Sequence, residues 1–122
     1  MYEISVETDF DAAHFLRGYK GKCEALHGHR FKVVATVQVE RLNDIGLGYD
    51  FTKLKRKLGD VVGKFDHTSL NELTPFKRAN PSSENIATII YRELKRKLKG
   101  APGVITAVEV WESPQSRVIY RP

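Results

Sequence analysis

Cysteine is almost absent from this chain: Cys23 is the only one among 122 residues. A disulfide within the chain is therefore excluded. No apolar run approaches the roughly 20 residues that span a bilayer, which excludes a membrane-spanning helix. The first residues lack the basic and then apolar layout of a secretory signal, and the sequence contains no repeat or low-complexity linker. These absences predict one cytoplasmic domain over residues 1–122, with no membrane partner.

Positive charge is in modest excess, and the net charge is +5. Hydrophobic residues make up 41% and charged residues 29%, which is typical of a globular chain and not of a disordered one. Much of the basic excess falls on two helical patterns, where solvated faces are expected. No aromatic RNA-binding signature accompanies it. The charge alone therefore does not choose among a phosphorylated metabolite, a nucleic acid and an acidic surface as the partner; the histidines described below argue against a nucleic-acid partner.

Periodicity predicts the order ββααββ. Alternating apolar residues indicate strands over 2–14 and from His27 to Val39, and a closing hairpin around Pro114. Helical spacing begins near Phe51, with Asp50 as its cap, and again at residues 81–84. The predicted stripe of the first helix consists of Phe51, Leu54, Leu58, Val61, Val62 and Phe65. We therefore predict an α+β fold, a four-stranded antiparallel sheet with two helices on one face.

Three of the four histidines are placed to converge. His27 and His29 are two residues apart, so both side chains point the same way from an extended strand. His14 ends the preceding strand, which lies beside the start of the next one in an antiparallel pair. Three imidazoles and an open position are typical of a catalytic zinc site. The alternative is three unrelated histidines, each satisfied locally.

Cys23 and His67 are the other candidate catalytic residues. Cys23 lies in a loop bordered by glycine, four residues before His27, where a thiol can ionise and act as a base; the alternative is a small buried apolar side chain. Asp66 could orient the imidazole of His67, or His67 could simply cap the preceding helix. Glu112 ends a strand and is either solvated or paired with the guanidine-like edge of a heterocycle.

Six motifs together resemble the family of 6-pyruvoyltetrahydropterin and 6-carboxytetrahydropterin synthases, over essentially the whole chain. The motifs are Phe10-Asp11-Ala12-Ala13-His14, Cys23-x-x-x-His27-Gly28-His29, Tyr49-Asp50-Phe51-x-x-Leu54-Lys55, Asp66-His67-x-x-Leu70-Asn71, Pro81-Ser82-Ser83-Glu84-Asn85 and Trp111-Glu112.

The resemblance implies the tunnelling fold (T-fold), in which three ββααββ subunits close a barrel and two rings usually stack into a homohexamer. It implies 7,8-dihydroneopterin triphosphate as the substrate and active sites between subunits, so that Cys23 and His67 belong to different chains. Such an assembly would also cover the second face and the edges of the predicted sheet.

The same resemblance implies the roles of the site residues. His14, His27 and His29 match the zinc ligands, and Cys23 the general base. His67, oriented by Asp66, matches its relay partner, and Glu112 matches the carboxylate that anchors the pterin. Ser82 and Ser83 stand where other members have a hydroxyl pair near the pterin.

The spacing between Cys23 and His27 resembles that of the 6-carboxytetrahydropterin synthases of queuosine biosynthesis. Pyruvoyl-forming members typically have a longer insertion there. Glu24, directly after the cysteine, resembles a folate-pathway variant that forms 6-hydroxymethyl-7,8-dihydropterin, unless it is a surface acid. A further alternative is an inactive pterin-binding module, but no ligand or base of the family pattern is missing from this sequence.

Overall fold

A five-stranded sheet and two helices make up the fold. The computed structural model describes all residues, 1–122. The sheet order is β3-β1-β2-β4-β5. The elements are β1 (Tyr2–His14), β2 (His27–Val39), α1 (Phe51–Val62), β3 (Thr68–Ser69), α2 (Ser83–Lys97), β4 (Val104–Ser113) and β5 (Ser116–Tyr120). The predicted α+β order and the closing hairpin are confirmed.

The antiparallel pair β1–β2 positions the site. Its register runs from Tyr2 opposite Val39 to His14 opposite His27. Because side chains alternate along a strand, one face of the pair is apolar and the other polar. The apolar face belongs to a core cluster of 25 buried residues, whereas acidic side chains such as Glu3 and Glu7 are exposed on the other.

Both helices begin at the predicted caps. The Asp50 carboxylate accepts a hydrogen bond from the Thr52 N–H, and the Ser82 hydroxyl accepts one from the Asn85 N–H. The placement of Phe51 in the buried stripe was wrong, since its side chain is 60% exposed. It occupies the first helical position. The buried stripe of the helix runs from Leu54 to Val62, and Phe65 is buried beyond the end of the helix.

One strand has no counterpart in the sequence pattern. The two-residue β3 pairs parallel to β1, with Ala12 opposite Thr68 and Ala13 opposite Ser69. Two residues are too short to show an alternation, so the prediction of four strands missed it. This pairing brings the segment after α1 against the end of β1.

The edges of the sheet stay largely open in the single chain. β3 covers only the last residues of β1, and β5 is the opposite edge. No helix is both long and apolar enough to cross a membrane.

Candidate metal centre and catalytic groups

Three imidazoles meet where β1 ends and β2 begins. His14 lies opposite His27, and His29 lies opposite Ala12, on the same side of the sheet. The ring centroid of His14 is 4.6 Å from that of His27 and 5.3 Å from that of His29. The centroids of His27 and His29 are 4.8 Å apart. One ligand nitrogen from each ring lies within 4.8 Å of the others. The predicted convergence is confirmed, and the three form a candidate metal centre.

Backbone carbonyls determine which ring nitrogen is free. His14 Nδ1 lies 2.8 Å from the Pro81 carbonyl oxygen, and His27 Nδ1 lies 2.7 Å from that of Ala25. A carbonyl oxygen only accepts hydrogen bonds, so each Nδ1 carries the proton and each Nε2 presents a lone pair. A hydrogen bond from the other ring nitrogen to a carbonyl typically orients a histidine that binds a metal.

The free nitrogens of His14 and His29 lack any partner within the protein. Both Nε2 atoms are buried and make no hydrogen bond. An unsatisfied buried polar atom costs about 1–3 kcal/mol, so native proteins rarely retain one without a ligand. Burial also lowers the pKa of His14 below its usual 6.5, with smaller contributions in the same direction from His27 and His29. These two unpartnered nitrogens fit a bound metal ion.

Glu112 belongs to the same site. Its carboxylate oxygens lie 3.4 Å from His29 Nε2 and 3.9 Å from His14 Nε2, and its side chain is 33% exposed. His14 Nε2 presents a lone pair, and a carboxylate facing it is repelled unless a cation or a proton lies between them. The arrangement therefore favours a cation, and Glu112 lies against the histidine cluster; its pairing with a heterocycle stays a prediction.

Asp66 and His67 form a second cluster with Asp11. Asp66 Oδ2 is 2.9 Å from His67 Nδ1, and Asp66 Oδ1 accepts the Asp11 N–H at 2.9 Å. The hydrogen bond from Asp11 and then that from His67 lower the pKa of Asp66. The His67 N–H in turn donates to the Asp11 carbonyl at 2.6 Å.

His67 does not cap α1, because that helix ends at Val62 and Gly63 occupies the cap position. Its backbone has a φ of 56°, and its side chain is 80% exposed. The alternative in which Asp66 orients the imidazole is the one that the structure shows.

Cys23 and Glu24 belong to neither cluster. They lie in a short turn, Lys22–Glu24, in the loop that joins β1 to β2. The Cys23 thiol is free and half-buried, whereas Glu24 is exposed. The Cys23 carbonyl accepts a hydrogen bond from the Leu16 N–H at 2.7 Å. The loop position predicted for the cysteine is thus confirmed, and within one chain Asp66 and His67 form a cluster without it.

Ser82 and Ser83 lie at the start of α2. The Ser82 hydroxyl caps the helix, and Ser83 is buried. Contact of either with a pterin stays a prediction.

Sequence reasoning missed several groups that hold the site together. The Pro81 and Ala25 carbonyls and the peptide of Asp11 act through backbone atoms, which leave no side-chain signal. Asn71 and Asn80 hold the segment after His14 through their amides. Asparagine outside the α-helices and strands was the available signal, because its side chain commonly bonds to backbone.

The sheet, its helical layer and the three-histidine centre define a protein of the T-fold class. The sequence model for 6-pyruvoyl tetrahydropterin synthase matches residues 3–122. The chain therefore belongs to the 6-pyruvoyl tetrahydropterin synthase family, and it is an enzyme of the tetrahydropterin synthase type.

Individual proteins agree with this membership. The 6-carboxy-5,6,7,8-tetrahydropterin synthase of Synechocystis is 37% identical over 125 residues, covering 98% of this chain and 93% of the relative. The dihydroneopterin monophosphate aldolase of Pyrococcus furiosus is 37% identical over 99 residues, covering 80% and 78%. The structure of Caenorhabditis elegans 6-pyruvoyl tetrahydropterin synthase superposes with a TM-score of 0.87 at 26% identity, covering 99% of this chain and 95% of that one.

Proposed function

We propose that this chain is a zinc-dependent 6-carboxy-5,6,7,8-tetrahydropterin synthase. It would convert 7,8-dihydroneopterin triphosphate to 6-carboxytetrahydropterin, acetaldehyde and triphosphate in queuosine biosynthesis. The observation that carries the proposal is the set of buried, unpartnered Nε2 atoms of His14 and His29 beside His27. The short spacing from Cys23 to His27 and the relatives that bear this enzyme name support the choice of reaction.

His14, His27 and His29 would hold the zinc ion, because three neutral imidazoles suit this metal. Bound zinc supplies Lewis acidity at the hydroxyls of the substrate side chain. Glu112 would bind the pterin ring, where two parallel hydrogen bonds to a guanidine-like edge suit a carboxylate. Its carboxylate lies 3.4 Å from His29 Nε2, which supports a ring bound beside the metal centre.

Proton transfer would fall to Cys23 and His67. The Cys23 thiolate takes a proton from the substrate side chain, and His67 exchanges one through Nε2. Asp66 supports this role because it accepts a hydrogen bond from His67 Nδ1 at 2.9 Å and so orients the ring. Because the Asp66–His67 cluster excludes Cys23 within one chain, the site would combine Cys23 of one subunit with His67 of another.

Assembly into a T-fold trimer, or a hexamer of two stacked rings, follows from the same proposal. The polar sheet face and the open edges of β1 and β5 are left for other subunits to cover. Closure of a barrel removes such edges.

A folate-type activity is the second candidate. The chain has Glu24 beside Cys23, and the Pyrococcus relative bears the name of an aldolase. Because Glu24 is exposed and unpaired, its carboxylate is available as a different base. Cleavage of the side chain through Glu24 would give 6-hydroxymethyl-7,8-dihydropterin.

Product analysis by mass spectrometry tests both candidates. The zinc-loaded protein is incubated with 7,8-dihydroneopterin triphosphate, with His27→Ala as the control without a complete centre. Carboxypterin with acetaldehyde supports the first reaction. Hydroxymethylpterin contradicts it and supports the folate-type reaction, and a pyruvoyl product indicates biopterin-type chemistry. A metal-loaded oligomer that bound pterin without turnover would contradict all three and favour a binding module.

A further inference from the structure

The tripeptide that follows His14 is held by two asparagine side chains. The Phe15 N–H donates to Asn71 Oδ1, and Asn71 Nδ2 donates to the Phe15 carbonyl, both at 3.0 Å. The Arg17 N–H donates to Asn80 Oδ1 at 2.9 Å, and Asn80 Nδ2 donates to the Arg17 carbonyl at 3.0 Å. Each amide thus replaces the partner that a neighbouring strand would provide. We name these two reciprocal pairs the amide clamps.

Leu16, between the two clamped residues, holds Cys23. Its N–H donates to the Cys23 carbonyl at 2.7 Å. The turn that contains Cys23 is closed by hydrogen bonds from Glu24 to Gly21 and from Ala25 to Lys22. The amide clamps therefore act on the cysteine through a single intervening residue.

The loop needs such restraint because its own sequence supplies little. Residues 17–22 are all exposed, and Gly18 has a φ of +79°. Glycine increases the conformational freedom that the loop must lose. The His14 and His27 ends of the loop are fixed by their strands, and the amide clamps add to the turn's own hydrogen bonds in restraining the chain near Cys23.

Asn80 is the more informative of the two clamps. Its own carbonyl accepts a hydrogen bond from Asn85 Nδ2 at 2.8 Å, which ties it to the first turn of α2. The next residue, Pro81, holds His14 through its carbonyl. One dipeptide thus restrains both a candidate metal ligand and the Cys23 loop, through different atoms.

We propose that Asn80, together with Asn71, is a positioning residue that sets the place of the Cys23 thiol relative to the three histidines. The inference rests on the proposed role of Cys23 as the proton-transfer group. An amide is required because the pairing needs a donor and an acceptor on one planar group. A carboxylate would lose the donor and face the Arg17 carbonyl with a negative charge.

The test compares Asn80→Ala and Asn80→Asp with Asn43→Ala. Asn43 is a suitable control because it also bonds to loop backbone, accepting from the Ile45 and Leu47 N–H groups, but follows the opposite end of β2. Three quantities are measured on the metal-loaded enzyme: metal content, kcat and KM, and the pH profile of Cys23 alkylation by iodoacetamide. Because the chain has one cysteine, alkylation reports on that thiol alone.

We expect both Asn80 variants to keep their metal and their KM, while kcat falls about 10- to 100-fold because the thiol is misplaced. The pH profile of alkylation should shift in both and stay unchanged in Asn43→Ala. If Asn80→Ala fails to fold, the test rests on Asn80→Asp, which retains the oxygen that accepts the Arg17 N–H.

An unchanged kcat together with an unchanged alkylation profile would overturn the inference. So would a loss of kcat that follows a loss of metal, because Asn80 would then act through Pro81 and His14. A shifted alkylation profile with full turnover would instead overturn the catalytic role of Cys23, while product analysis reports on the reaction itself.

Discussion

Single residues set the chemistry of this site through the groups that they leave without a partner. His14 and His29 each leave a buried Nε2 atom without a hydrogen-bond partner, and the Glu112 carboxylate approaches both. Acceptor atoms that face a carboxylate are destabilising until a cation joins them. The site is therefore prepared for a metal ion by the same hydrogen bonds, to Pro81 and Ala25, that fix the rings of His14 and His27.

Replacing His27 by alanine should remove both the metal and the activity. The remaining imidazoles leave the ion with too few protein ligands, so the loss of affinity should exceed the roughly 10- to 100-fold typical of losing an outer partner. Metal content by atomic emission, read beside turnover, measures this. His67→Ala is the matched control, since this histidine lies outside the cluster and its loss should leave the metal bound.

Replacing Cys23 by alanine should separate the chemistry from the metal. General acid–base groups typically contribute about 10²- to 10⁴-fold to the rate, and we expect turnover to fall by at least about 10²-fold. Zinc content should be unchanged, because Cys23 is not among the clustered ligand atoms. Loss of zinc in this variant would make Cys23 a ligand and would contradict its assignment as a base.

The elements of the fold place these residues, and helix α1 shows how local rules act at this scale. It begins at Asp50, which caps it, and its buried stripe packs on the sheet. Gly59 lies on its exposed side, where an added Cβ meets no atom within 4 Å. The glycine thus weakens the helix without serving a contact.

Gly59→Ala should stabilise the protein by about 0.5–1 kcal/mol, since alanine has the higher helix propensity and restricts the unfolded chain. Urea denaturation at a fixed protein concentration measures the change. Gly48→Ala is the opposite control, because a Cβ there would collide with the side chain of Val39. A Gly59→Ala protein that unfolded more easily than the parent would show that this surface of α1 is covered.

At the scale of the whole molecule, the single chain leaves its polar sheet face and two sheet edges uncovered. It also leaves His67 80% exposed and outside any cluster with Cys23. Under the proposed assembly, a site shared between subunits would account for both features, because the surfaces that other subunits cover would bring Cys23 of one chain to His67 of another.

Mixing two inactive variants tests whether the site is shared. When Cys23→Ala and His67→Ala subunits exchange in equal amounts, about a quarter of the sites should combine two intact residues from different subunits. Turnover should therefore return after the subunits have been unfolded and refolded together. Mixed oligomers, verified by native mass spectrometry, that remain inactive would place both residues in one chain.

The amino-acid sequence by itself determined the fold class, both main helices and the meeting of the three histidines. These follow from local rules: alternation defines a strand, a cap begins a helix, and His14 and His27 meet because consecutive antiparallel strands pair. Even so, the local pattern misplaced Phe51, because periodicity does not say where a helix first contacts the sheet.

Only the tertiary structure decided which ring nitrogens are free, where Asp66 and His67 lie, and what holds the Cys23 loop. The groups responsible are the Pro81 carbonyl, the Asp11 peptide and the amide of Asn80, each far along the chain from its partner. Each of these contacts has a backbone atom on one side, and backbone atoms are the same in every residue, so no side-chain pattern identifies both partners. These contacts form only once β3 and the start of α2 have packed against the end of β1.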